Sequence, residues 1–171
     1  MPPTHQRRIN VFISSTSIDL PEHRQAIYEA CIGLGLLPIG MEHWPRTGEP
    51  AVEKCRRMVE KAELFVGIYA YRYGWMPDGN PPSITELEYE WALARGLKPL
   101  CYMMDDKHPW PSDSDHRDAD LTAIHAFKAR VGEREVGFFT SPDNLKAAVL
   151  RDLAPHAQRL AHEPLRPYLQ W

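Results

Sequence analysis

Two carboxylates, Glu86 and Glu88, stand in the segment Pro82-Ser83-Ile84-Thr85-Glu86-Leu87-Glu88-Tyr89, which runs on to Gly96. The pattern predicts a helix that leaves a proline-rich loop and ends at a glycine before a strand. Ser83, with Glu86 three residues on, has capping-box spacing, in which hydroxyl and carboxylate satisfy each other's orphan backbone donors, so Glu86 reads as structural. Glu88 has no such role. It borders the apolar stripe Ile84, Leu87, Trp91 and Ala94, and its neighbours three and four places away offer no cation. It is either a solvated helix glutamate or a carboxylate kept for chemistry. A second group of chemistry-bearing residues follows the apolar runs: Ser14, Ser15, Thr16 and Ser17; Glu42, His43 and Trp44; Tyr71, Arg72, Tyr73, Gly74 and Trp75; Asp105 and Asp106; Thr140 and Ser141. Hydroxyls ahead of a helix, one arginine and several aromatics suit a phosphate-bearing nucleotide with a stackable base. The same hydroxyls would serve equally as turn and capping groups.

Other chemistries are poorly supported. No Gly-x-Gly-x-x-Gly or Gly-x-x-x-x-Gly-Lys-[Ser/Thr] pattern occurs, so neither a hydride-transfer dinucleotide fold nor a P-loop is expected. The eight histidines include no pair at helical ligand spacing and there is no Cys-x-x-Cys, which argues against a metal site. Ser14 and Ser15 lack a nucleophile elbow.

The elements that must position these residues alternate along the chain. Strands are predicted at Ile9–Ile13, Leu36–Ile39, Leu64–Tyr69, Pro99–Met103 and Val136–Phe139. Helices are predicted from Asp19 to Gly33, from Pro50 to Ala62, through Glu88, near Leu121–Arg130, and over Asn144–Leu153. In the second helix Val52, Cys55, Val59 and Ala62 are expected inside, with Lys54, Arg57 and Lys61 outside. Leu64–Tyr69 is apolar throughout, as a strand covered on both faces should be. Five strands interleaved with helices imply right-handed crossovers and an α/β fold, a three-layer αβα sandwich with a parallel flavodoxin-like sheet of order 2-1-3-4-5. In such a sheet ligands bind beyond the carboxyl ends of the strands, where the hydroxyl, arginine and aromatic groups fall.

The chain's 171 residues suit one domain, and a net charge of −3 gives no electrostatic reason to expect nucleic acid or an anionic membrane as partner. No apolar run approaches a membrane span and the N-terminus lacks a signal-peptide core. Three cysteines, Cys31, Cys55 and Cys101, read as small core residues in a reducing compartment, so a cytoplasmic location is expected. Residues 1–8 read as a tail, 9–156 as the domain, and 157–171 as a linker toward a further domain.

Three segments resemble a bacterial domain-of-unknown-function family (family 4062) related to Toll/interleukin-1 receptor (TIR) domains. They are Val11-Phe12-Ile13-Ser14-Ser15-Thr16 with Asp19-Leu20, Arg72-Tyr73-Gly74, and Ser83-Ile84-Thr85-Glu86 with Glu88-Tyr89. The resemblance implies placement ahead of a NACHT-type or other STAND ATPase module in a signalling or defence protein. TIR-type NAD hydrolases carry a catalytic glutamate eight residues before a glycine with a small-apolar pair between, a spacing that Glu88, Ala92-Leu93 and Gly96 reproduce. Nucleoside deoxyribosyltransferases are similar here. The tryptophan those TIR enzymes often carry four residues before the glutamate is Ile84 in this chain.

The resemblance therefore implies an NAD glycohydrolase, with Glu88 catalytic and Ser14, Ser15, Thr16, Arg72, Tyr73, Trp75 and Trp44 binding the substrate. NAD or a related nucleotide is then a substrate, and neither a cofactor nor a metal is expected. A single carboxylate suffices for this reaction, because nicotinamide leaves neutral and only the oxocarbenium-like sugar needs stabilising. The alternatives are a non-catalytic module that associates with its own copies or with an adjacent STAND/NACHT-type module, and a nucleotide-sensing or deoxyribosyltransferase-like domain.

Overall fold

The computed structural model of the protein describes residues 8–16, 19–41, 46–107 and 121–162. Five parallel strands form one sheet: β1 (Asn10–Ser14), β2 (Leu37–Ile39), β3 (Leu64–Tyr69), β4 (Leu100–Met104) and β5 (Val136–Phe139), in the order β2-β1-β3-β4-β5. The helices between and after them are α1 (Pro21–Gly33), α2 (Ala51–Lys61), α3 (Ile84–Ala94), α4 (Thr122–Val131) and α5 (Pro142–His162). The architecture is the flavodoxin-like three-layer sandwich that the alternation predicts.

Strand alternation sorts the side chains into two cores. Val11, Ile13, Val66, Ile68, Tyr102, Met104 and Phe139 face one way and are covered by Ile27 and Cys31 of α1 and Leu145, Val149 and Leu153 of α5. Phe12, Phe65, Tyr69, Cys101 and Met103 face the other way, under Val59 of α2, Tyr89 and Ala92 of α3, and Ile124 and Phe127 of α4. Ser14 and Gly67 share this second face, because they lie two residues from Phe12 and Phe65. They are also register partners across β1 and β3. All six residues of β3 are buried, as a central strand requires.

Several local expectations change in the folded chain. Helix α1 starts after Leu20 rather than at Asp19, because the Asp19 carboxylate accepts from the Thr16 hydroxyl instead of capping the helix. Lys54, expected outside, is buried. The last helix runs from Pro142 to His162, passing through Pro155 and beyond the expected end at Leu153, and Ala157 still packs on the core. Its final turns occupy part of the stretch expected to be a linker.

Helix α3 is fixed at both ends by contacts that matter below. Ser83 is its N-cap, and the Ser83 Oγ accepts from the Glu86 backbone N–H at 3.2 Å. At the other end, the Arg95 Nη1 donates to the last carbonyls of the α2 segment, at 2.6 Å to Val59 and 2.7 Å to Ala62. The Val59 carbonyl also accepts from the Ala62 N–H at 3.1 Å, so one guanidinium reinforces the end of α2 and locks α3 beside it.

Candidate functional site

Three elements converge on Glu88. Ser14 ends β1, Cys55 lies on α2, and Glu88 stands on the second turn of α3. Glu88 is 3% exposed and Ser14 fully buried, and the Ser14 Oγ donates to the Glu88 Oε2 at 2.6 Å. The reading of Glu88 as a solvated helix glutamate is thus overturned. Its place at the border of the helix stripe turns inward because α2 packs beside α3. Burial pushes the Cys55 thiol up to about 12, and the Glu88 carboxylate adds to the shift both by its charge and as a hydrogen-bond partner, against an opposing pull from Lys54. A carboxylate in so dry a place interacts strongly with any charge that develops nearby, since the effective dielectric falls well below that of water.

Glu86 is structural, by a different route from the capping box. Its backbone N–H donates to the Ser83 hydroxyl oxygen, but its carboxylate does not complete the reciprocal bond. Instead it accepts from the Tyr73 hydroxyl and from the Arg130 Nη1 of α4. The second nitrogen of Arg130 pairs with Glu90. A bidentate guanidinium therefore ties two carboxylates one helical turn apart on α3 to α4. The local cap loses to charged partners from elsewhere in the chain.

The residues expected to bind substrate fall into distinct situations. Ser14 is committed to Glu88. The Ser15 hydroxyl and carbonyl both accept from the Arg24 Nη1, and Thr16 donates to Asp19. Gly74 has φ +91°, and a Cβ there would sit 3.1 Å from the Thr16 methyl and 3.2 Å from the Thr85 hydroxyl. The loops after β1 and β3 and the first turn of α3 therefore meet closely, with glycine at the crossing. Tyr73 is buried in the aromatic core with its hydroxyl on Glu86, so it contributes packing rather than an open wall. Trp75 is 53% exposed, and its carbonyl accepts from the Ile84 N–H at 2.7 Å where α3 begins. Arg72 is half-buried in the loop that follows β3. Trp44, with Glu42, His43 and Ser17, lies outside the described residues.

At the rim of β4 and β5, Asp105 caps the Lys107 N–H, Asp106 pairs with Lys128, and Ser141 accepts from the Asn144 N–H at the start of α5. These are turn and capping roles. Arg24, Cys55 and Tyr69 were not singled out as site residues in the sequence. Arg24 carries the one available signal, a cation one turn into the helix that follows the Ser-Ser-Thr run. Nothing local marks the other two.

Two cavities lie away from Glu88. One, of about 480 Å³, is bounded by the starts of β4 and β5 and by α5, with Tyr102, Arg151, Asp152 and His156 in its lining. The other, of about 410 Å³, is a groove between the first turns of α1 and α5. Among the described residues no cluster of three or more His, Cys, Asp or Glu side chains could hold a metal ion. No described helix is long and apolar enough to cross a membrane.

The sequence profile of a family described as "Domain of unknown function (DUF4062)" matches residues 10–154. Comparison with the curated proteins finds no match. Among solved structures, the flavodiiron core of Flv1 from Synechocystis sp. PCC6803 is similar in fold, at 12% identity and a TM-score of 0.50. That match covers 92% of this chain and 37% of that one. The TIR domains of the activated Roq1 resistosome superpose at 14% identity and a TM-score of 0.49, covering 94% of this chain and 90% of that one. The CMP N-glycosidase BcmB of Clostridium botulinum does so at 11% identity and a TM-score of 0.47, covering 82% and 96%.

Proposed function

The chain belongs to the DUF4062 family, and from its own residues we propose that it is a TIR-like effector domain that cleaves the N-glycosidic bond of NAD or a closely related nucleotide. The observation that carries this reading is a carboxylate, Glu88, buried and oriented by a serine at the carboxyl end of β1, where an open parallel sheet binds its ligands. The Ser14 hydroxyl orients the carboxylate, and burial shields it from bulk water.

In the reaction, the bond from the ribose C1′ to the nicotinamide nitrogen breaks with both electrons going to the nitrogen. The pyridinium thereby becomes neutral and needs no acid. The positive charge left on the sugar is stabilised by Glu88, or Glu88 holds the ribose hydroxyls so that this charge forms readily. Water then bonds to C1′ and releases a proton, giving ADP-ribose and nicotinamide. Ser15, Thr16 and Arg72 flank the sugar-phosphate side in this reading, and the exposed Trp75 offers a stacking surface for a base.

The test is NAD consumption and nicotinamide release by the protein, concentrated and assembled, with Glu88→Ala, Glu88→Gln and Glu86→Ala beside it. Loss of a preorganised charged group costs about 100-fold or more in kcat. The expected outcome is that loss in both Glu88 variants, with Glu86→Ala retaining turnover in proportion to the protein that folds. Equal activity in Glu88→Gln would remove the proposal. A second reading follows from the same burial: with Glu88 only 3% exposed, the domain acts as a non-catalytic module that associates with itself or with an adjacent STAND/NACHT-type module. Absence of turnover in every assembled form favours that reading.

A further inference from the structure

Resting on the reading of Glu88 as the reacting carboxylate, we propose that Ser14 and Tyr69 are positioning residues, forming a one-way chain of donors that runs from the Tyr69 phenol through the Ser14 hydroxyl to Glu88. Four observations meet at this point. Ser14 donates to the Glu88 Oε2 at 2.6 Å from a fully buried position, where it is closed off from a ligand. Its register partner across the sheet is Gly67. A Cβ on Gly67 would lie 2.2 Å from the Tyr69 hydroxyl oxygen, so the phenol occupies the space over that glycine, beside Ser14 on the same sheet face. The Tyr69 hydroxyl is buried without a well-formed hydrogen bond, and the Ser14 hydroxyl and the Cys101 thiol are the polar groups beside it.

A buried donor without a partner is costly, and the group next to it is one that can accept. Ser14 has a single proton, already given to Glu88, and keeps lone pairs for an incoming donor. A small rotation of the phenol completes the chain. Its direction follows from the proton inventory: tyrosine and serine each carry one hydroxyl proton, and an ionised carboxylate carries none. A carboxylate accepts from such a chain more strongly than a neutral carboxyl does, so the chain favours the charged form that stabilises a cationic sugar. Burial pushes the Tyr69 phenol well above its ordinary value, Cys101 adds to this, Ser14 acts against it, and the Glu88 carboxylate raises it again, so the phenol remains a donor at neutral pH. Glycine at position 67 is explained by the same geometry, since any side chain there would push the phenol off Ser14.

The test is a set of near-isosteric variants assayed for NAD turnover with kcat and KM separated. A hydrogen bond to a charged group corresponds to about 10- to 100-fold and one between neutral groups to about 2- to 10-fold. Ser14→Ala is expected to lower kcat by the first range and Tyr69→Phe by the second, with KM changed by less than about threefold in each. The double variant should be no worse than Ser14→Ala, because Tyr69 acts through Ser14. Ser14→Cys, a weaker donor of similar shape, should fall between the wild type and Ser14→Ala.

Losses that multiply in the double variant, or a raised KM with unchanged kcat in Ser14→Ala, overturn the chain. A second measurement needs no turnover: the titration of the Glu88 carboxyl carbon, followed by NMR and assigned with Glu88→Gln. Lys54 and Cys55 of α2 and Cys101 of β4 are left unchanged in every variant. The Glu88 titration should move upward in Ser14→Ala and further if Gly67→Ala also displaces the phenol. An unmoved titration sinks the chain. A moved titration in a protein without NAD turnover supports the chain and removes the glycohydrolase reading alone.

Discussion

Between the sheet and helices α1 and α5 the core is built mainly from aliphatic groups, with Val11, Ile13, Ile27, Val66, Ile68, Leu145, Val149 and Leu153 all buried. One of its tyrosines, Tyr102, sends the phenol outward, to the Asp152 carboxylate at 2.8 Å. Between the sheet and α2, α3 and α4 the core is aromatic and carries polar atoms in its interior. Phe127 meets Tyr69, Tyr89 and Tyr73 edge-on, with ring centroids 4.9, 5.7 and 6.5 Å apart. The buried hydroxyls of Ser14 and Tyr69 and the Glu88 carboxylate lie on this same side. Polar groups also reach the first face, as His23 does against Phe139, but the second gathers a carboxylate and two hydroxyls at one buried point, at a cost. The contrast teaches that two close-packed sides of one sheet can differ in how fully their buried polar groups are satisfied.

The largest effects come from truncating each core. Leu145→Ala and Phe127→Ala should each lower the unfolding free energy by about 3–5 kcal/mol, read by urea denaturation. They should part company at the site. Leu145→Ala leaves the Tyr69 contribution to the ultraviolet spectrum, taken as the difference from Tyr69→Phe in the same background, unchanged, whereas Phe127→Ala alters it by releasing the ring edge that Tyr69 packs on. If Leu145→Ala disturbs that contribution equally, the two faces are not independent.

A smaller change of opposite sign is expected from the double variant Ser14→Ala/Glu88→Leu, which removes donor and carboxylate together. Replacing a buried polar pair with apolar groups of similar size is often neutral or stabilising, here by about 1–2 kcal/mol. A clear loss of stability would make the pair a structural fastening and erase the contrast between the faces.

The smallest effect is at the rim. The Arg151 guanidinium, as a hydrogen-bond partner, and then the Tyr102 hydroxyl hold Asp152 below the usual carboxylate range, against an opposing contribution from burial. A depressed folded-state value contributes stability that is present above the unfolded value and lost as pH falls through the folded one. Asp152→Asn should therefore flatten the decline in melting temperature below about pH 4. An unchanged acid limb would show that this outward contact carries no stability.

The boundaries of β3 and β5 were legible because an unbroken apolar run flanked by polar residues has few other homes in an α/β chain. Proline and glycine signals marked the start of α1 and the end of α3. The extent of α5 was not legible. Pro155 and the polar residues around it suggest a stop, but Leu153 and Ala157 lie one turn apart on one side and keep the helix on the core. Lys54 was misplaced because helical periodicity locates a stripe without saying how wide a neighbouring helix will make it. In the site, the Ser83 cap was local and was read correctly. The destination of the Glu86 carboxylate was not, since Arg130 lies 44 residues away.

By itself the sequence determined the succession of elements, the sheet order that short right-handed crossovers permit, and the identity of Glu88 as a carboxylate with no local cation. Those properties rest on interactions within a few residues or on chain handedness, so they are written along the chain. Only the tertiary structure decided that Glu88 is dry, that Ser14 reaches it across 74 residues, and that the Tyr69 phenol stands over Gly67. Burial and register are set by the packing of whole elements against one another, and no single segment contains that information.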